Sequence, residues 1–92
     1  MALTHVEGKD AGRIVVYALS TCPWCRKVKA LMDELGVAYD FMDVDLIDDV
    51  EESKIKPDLL KYNPRYSFPT VLIGEKVIIG FKEDEIREAL SK

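Results

Sequence analysis

Cysteine, histidine, glycine and proline are all scarce in this chain. Its 92 residues include two cysteines, one histidine, five glycines and four prolines. So little glycine and proline, without a repeat, excludes collagen-like and low-complexity chains. Two cysteines cannot build the disulfide framework on which small secreted domains depend. Two cysteines and one histidine also fall short of the four protein ligands that a structural zinc site takes from a single chain. The longest unbroken apolar run, Ile14 to Leu19, is far below the ~20 residues of a membrane-spanning helix. Basic residues are in the minority, 13 against 17 acidic, for a net charge of −4. That balance gives no concentrated basic surface for a phosphate backbone, so nucleic acid is not the expected partner. The first eight residues have neither a basic start nor a long apolar stretch, and no signal peptide is expected. The chain reads as one small cytoplasmic domain with no membrane partner, and as a monomer.

What is present is organised. Residues 1–12 show no clear period and read as a flexible or loosely docked extension, with the domain spanning 13–92. Arg13 to Leu19 is β-branched and nearly all apolar, as in a strand buried on both faces. From Pro23 the period changes to 3.6. Val28, Leu31, Met32 and Leu35 share one face, and Gly36 stands where a C-terminal cap belongs. Val37 to Val44 reads as a second strand, with Tyr39 and Phe41 on one side and Asp40, Met42 and Val44 on the other. Strand, helix and strand imply a right-handed parallel crossover. Residues 47–62 read as a helix whose acidic start suits its dipole, with Pro57 expected to split or kink it. Thr70–Ile73, a turn at Gly74 to Lys76, and Val77–Ile79 form a hairpin. Lys82 to Ser91 is a short amphipathic helix. The order β-α-β-α-β-β-α predicts an α/β fold: a mixed four-stranded sheet with helices on both faces.

The two cysteines stand together in Cys22-Pro23-Trp24-Cys25. A disulfide between them closes too short a loop to stabilise the fold much, so the pair is better explained by chemistry. Cys22 follows a buried strand at its carboxyl end, where open α/β sheets place ligands. Pro23 suits the first helical position. Cys22 therefore caps the helix, its sulfur facing free N–H groups and the positive end of the dipole, which stabilise a thiolate. Arg26, Lys27 and Lys29 add positive potential. In general, a thiol of pKa about 8.5 is about 3% ionised at pH 7, and one of about 5 is nearly all ionised, a thirtyfold gain. The same drop lowers intrinsic nucleophilicity about twentyfold to sixtyfold, so attack changes little and departure as a leaving group gains most. Cys22 is the expected nucleophile and Cys25 the resolving thiol. Trp24, between them on the first helical turn, reads as an exposed platform rather than core; Met32 and Phe41 read as core.

Ser67-Phe68-Pro69 precedes the third strand, and Gly80-Phe81-Lys82-Glu83-Asp84 precedes the last helix. With Cys-Pro-Trp-Cys, these segments resemble the glutaredoxin branch of the thioredoxin superfamily over residues 13–92. The resemblance implies a thioredoxin-like three-layer βαβαββα sandwich and a redox-active dithiol serving electron transport and redox homeostasis. It implies a cis Pro69, and a Phe68 backbone that pairs with an extended substrate. Pro23, Trp24, Arg65, Phe68, Pro69, Gly80 and Asp84 are the implied thiol-binding residues. Arg65 would meet the carboxylate of glutathione and Asp84 its amino group. Leu19, where many glutathione-using relatives have lysine, Phe81, where they have a second glycine, and Ser67, where they have threonine, depart from the pattern.

The resemblance implies reduction of protein or small-thiol mixed disulfides, with no tightly bound cofactor and no metal. Glutathione or another small thiol would be co-substrate. Similarity to the glutaredoxin-like hydrogen donors of ribonucleotide reductase makes that enzyme a candidate partner and a thioredoxin reductase a candidate donor. The alternative is a [2Fe–2S] carrier, a dimer using Cys22 and external thiols, against which Pro23 argues.

Overall fold

A computed structural model describes residues 3–90. The elements run β1 (Thr4–Val6), β2 (Ile14–Ala18), α1 (Pro23–Leu35), β3 (Tyr39–Asp43), a 3₁₀ turn (Val44–Leu46), α2 (Asp49–Tyr62), β4 (Thr70–Ile73), β5 (Lys76–Ile79) and α3 (Glu83–Leu90). Ser91, the last residue of the predicted final helix, and residues 1 and 2 of the predicted extension lie outside the described residues.

β2 is central because it can be buried on both faces. Ile14, Val15, Val16 and Ala18 are all buried, and β-branched side chains pack well on a pleated surface. β2 runs parallel to β3, with Val16 opposite Phe41, and antiparallel to β4, with Tyr17 opposite Thr70. The parallel pair is joined by α1, whose Val28, Leu31 and Met32 are buried. Gly36 ends that helix at φ 69°, a left-handed conformation that glycine adopts without a Cβ penalty. Ile14, Val16 and Ala18 pack with the buried faces of α1 and α3 in one cluster, whereas Tyr17 packs with Met42, Val44 and Leu59 of α2 in another. The alternation of strand side chains thus produces three layers. Each fully buried aliphatic side chain contributes roughly 1.5–3 kcal/mol.

The sheet has five strands, in the order β1-β3-β2-β4-β5, where four are expected. The fifth comes from the segment read as an extension. Thr4 to Val6 pairs antiparallel with Phe41 to Tyr39. Lys9 continues the attachment, donating its N–H to the Gly36 carbonyl and accepting from Ala38, both at 2.8 Å. Gly8 permits this approach: a Cβ there would lie 2.6 Å from the Val37 carbonyl carbon and 2.7 Å from the Ala38 nitrogen, both backbone atoms.

α2 runs through Pro57 without the split that is one of its two expected effects. Proline removes the N–H that would bond the Ser53 carbonyl. Both residues are exposed, so water can serve that carbonyl. The helix start is strongly specified: the Asp48 carboxylate accepts the Glu51 N–H at 2.8 Å, and Asp49, Glu51 and Glu52 suit the dipole. No helix among the described residues is long and apolar enough to cross a membrane.

Candidate functional site

The loop from β2 into α1 is held at both ends. The Leu19 carbonyl accepts the Cys22 N–H at 3.2 Å. Ser20 donates its N–H at 2.9 Å and its hydroxyl at 2.6 Å to the two oxygens of the Asp45 carboxylate. Those bonds, led by the hydroxyl, hold the Asp45 carboxyl below its ordinary value. Asp45 lies in the 3₁₀ turn, which no periodicity in the sequence marks.

Cys22 is the N-cap of α1, in extended backbone conformation, and Pro23 opens the helix. The Cys22 sulfur accepts the Cys25 N–H at 3.2 Å, which satisfies one of the free donors of the first turn. The two cysteines are free and differ in exposure: Cys22 is half-buried and Cys25 fully buried. The Cys25 sulfur meets the Leu19 N–H at 3.5 Å. Burial, then the hydrogen bond with Cys22, pushes the Cys25 thiol up to about 12.

Trp24 is 55% exposed and therefore not part of the core. Its ring stacks on Phe81 with centroids 6.3 Å apart and planes 24° apart, and Lys27 Nζ lies 4.7 Å from its centroid. Phe81 thus fills with an aromatic ring the place where the family pattern has glycine. Trp24 and Phe81, with Phe68, Pro69, Gly80 and Lys82, line an open cavity of about 320 Å³. The Phe68–Pro69 peptide is cis. Gly80, at φ 88°, donates its N–H to the Pro69 carbonyl at 2.8 Å, which joins the two segments that the sequence singles out separately.

The loop before Pro69 is fixed by Asn63, whose importance the sequence gives no reason to suspect. Asn63 is 1% exposed. Its Nδ2 lies 2.9 Å from the Ser67 carbonyl, 3.0 Å from the Ser67 hydroxyl and 3.1 Å from the Thr70 hydroxyl, and its Oδ1 accepts the Arg65 N–H at 3.1 Å. Tyr66 is held at φ 53°, an uncommon conformation for a bulky residue. It is anchored by its hydroxyl, which donates to Glu52 at 3.1 Å, and by an edge-on contact with Phe68.

Arg65 and Asp84 are placed on the surface, one in this loop and the other in the first turn of α3. Neither side chain makes a hydrogen bond or ion pair among the described residues. His5 lies in β1, its Nδ1 2.8 Å from Asp40 Oδ1. No group of three or more His, Cys, Asp or Glu side chains among the described residues is placed to hold a metal ion.

Residues 14–78 match the family model for glutaredoxin. The chain belongs to the glutaredoxin family. A glutaredoxin from Methanosarcina mazei has a solved structure that superposes with a TM-score of 0.90 at 45% identity, over all of this chain and 90% of that one. The methanoredoxin of Methanosarcina acetivorans gives 0.87 at 48% identity, over 92% of this chain and 90% of that one. A glutaredoxin-like 8.6 kDa protein from a rubredoxin operon of Clostridium pasteurianum is 33% identical, covering 86% of this chain and 99% of its own length. The protein is therefore a glutaredoxin-family redox protein of thioredoxin-like fold, with its two cysteines side by side at the start of α1.

Proposed function

We propose that the protein is a cytoplasmic dithiol–disulfide oxidoreductase that reduces disulfides of proteins, or mixed disulfides of small thiols, through Cys22 and Cys25. The observation that carries this reading is the unequal pair: a half-buried sulfur accepting a backbone N–H at a helix start, with a fully buried thiol one turn behind it. Attack needs access and resolution needs proximity. Cys22 as thiolate attacks one sulfur of the substrate, forming a mixed disulfide and releasing the other half as a thiolate, which takes a proton from water. Cys25 gives up its proton and attacks the Cys22 sulfur, expelling the second half as a thiolate, which is protonated in turn. The substrate gains two electrons and the protein is left as the Cys22–Cys25 disulfide. Two equivalents of a small thiol, or one dithiol or reductase, restore it.

Trp24, Phe68 and Pro69 form the wall against which substrate lies, the Phe68 backbone pairing with an extended segment, and Gly80 closes it. Arg65 and Asp84 are exposed and unpaired, as charges offered to a thiol ligand would be. Phe81 narrows the place where a second glycine would leave room, which favours protein disulfides over glutathione. No tightly bound cofactor takes part, and the protein acts as a monomer.

The test is reduction of a model disulfide, with glutathione supplied in one assay and a dithiol or thioredoxin reductase in the other. Cys22→Ser should abolish turnover and Cys25→Ser should trap mixed disulfides. An active Cys22→Ser variant would show the roles to be wrong. Absence of turnover with every donor, together with absorption beyond 300 nm in a purified dimer, would replace this reading with a cluster carrier.

A further inference from the structure

Cys25 is a nucleophile that its surroundings keep protonated. With its thiol pushed well above the ordinary cysteine value, it is almost wholly protonated at pH 7. Burial is the largest cause, and the hydrogen bond and charge of Cys22 add to it. Both contributions of Cys22 depend on its free sulfur. Once that sulfur enters a mixed disulfide they are gone, while the two influences that favour ionisation, the Leu19 N–H and the Lys29 cation, remain.

Lys29 follows Cys25 by four residues in α1, one turn along the same face. Its Nζ is 2.9 Å from Asp43 Oδ1 and 4.1 Å from the centroid of the Phe41 ring. The two side chains are only 23% and 17% exposed, unlike Lys27, which lies on the exposed Trp24 ring. Asp43 comes from the end of β3, so the cation is pinned between helix and sheet. Among the described residues, Cys22 and Lys29 are the charged or titratable groups acting on Cys25; Asp43 is the carboxylate that faces Lys29 from the sheet, and Asp45, in the 3₁₀ turn and bonded to Ser20, also feels the Lys29 charge.

The geometry points to a further role for this pair: Lys29, held in place by Asp43, is a positioning residue that stabilises the Cys25 thiolate during the resolving step. In that step Cys25 loses its proton to water, the Cys25–Cys22 bond forms, the bond from Cys22 to the substrate sulfur breaks, and the departing thiolate is protonated. Lys29 stays charged throughout. The inference rests on the dithiol reading above.

A symmetrical aromatic disulfide, 5,5′-dithiobis(2-nitrobenzoate), separates the two steps, because attack by Cys22 releases one coloured thiolate and resolution by Cys25 releases the second. An opposite charge within about 4–6 Å shifts an ionisable group by about 1–3 units, and each unit is tenfold in the ionised fraction. Lys29 is the smallest of the influences on Cys25 and Asp43 partly neutralises it, so the effect falls below that range. Lys29→Met should slow the second release about threefold more than the first at pH 7, and move the rise of the second rate to higher pH. Lys29→Arg should restore most of the second rate. Lys29→Met combined with Asp43→Asn should slow it less than Lys29→Met alone, since no unpaired carboxylate then opposes ionisation. Equal slowing of both releases, an unchanged second release, or no rescue by arginine in a folded protein overturns the inference. Lys29→Gln serves if the methionine variant does not fold. Cys25→Ser should give one release only; two releases would sink the dithiol reading itself.

Discussion

Truncating Asn63 tests whether the loop before the cis proline is held by a buried amide. The Asn63 Nδ2 has three acceptors within 3.1 Å but only two hydrogens, so two full bonds count at one time. The bond to Arg65 N–H makes three. At about 1 kcal/mol net each, Asn63→Ala loses about 3 kcal/mol. Two features lower that figure. The Ser67 carbonyl keeps the Thr70 hydroxyl at 2.9 Å, and the exposed Arg65 and Ser67 can turn to water. The cavity left by truncation raises it again, and the expected loss is about 2–3 kcal/mol. A domain of this size has about 5–14 kcal/mol to lose, so the variant folds, with a Tm lower by about 10–20 °C. Urea unfolding followed by circular dichroism should show a lower midpoint at unchanged slope. Thr70→Val should lose about 1 kcal/mol, and the double variant should fall short of the sum by at least about 0.5 kcal/mol, because the two share a bond. A loss below about 0.5 kcal/mol for Asn63→Ala, or strict additivity, would refute the reasoning.

Gly8→Ala forces a methyl onto the backbone of Val37 and Ala38, which cannot move aside as a side chain can. It should destabilise the fold by about 1–3 kcal/mol and raise the rate of proteolysis within residues 3–12; unchanged proteolysis would mean that this segment is not held at Gly8. The Asp45 carboxyl, held low by Ser20, contributes stability that is complete above its unfolded value of about 3.9 and fades as pH falls through the folded one. The difference in urea midpoint between the parent and Asp45→Ala should therefore be constant above about pH 5 and shrink toward acid. A difference independent of pH would remove Asp45 as the clasp of the Cys22 loop.

The parts of the site legible in the sequence are those whose signals are local. A buried strand, a proline at the first helical position and a glycine cap place Cys22, Trp24 and Cys25 from neighbouring residues alone, and the structure agrees. The N-terminal strand was not legible, because Thr4, His5 and Val6 carry no apolar period; their pairing is dictated by the edge of β3. Pro57 is a strong local signal for a break, overridden because the affected backbone faces water. Asn63 and Asp45 act through Thr70 and Ser20, 7 and 25 residues away in sequence, and a polar residue in a loop does not announce such a partner. Arg65 and Asp84 show the converse, a pattern match without a contact to confirm it.

The burial of Cys25 has a consequence for traffic. In the proposed mechanism, a thiol with no exposed surface is reached only from Cys22, and electrons enter and leave through one doorway. Donor and acceptor must queue for the same sulfur and cannot be bound there together. Catalysis should then show parallel lines in double-reciprocal plots, the mark of a ping-pong sequence, and an excess of either partner should inhibit by occupying the door while the other waits.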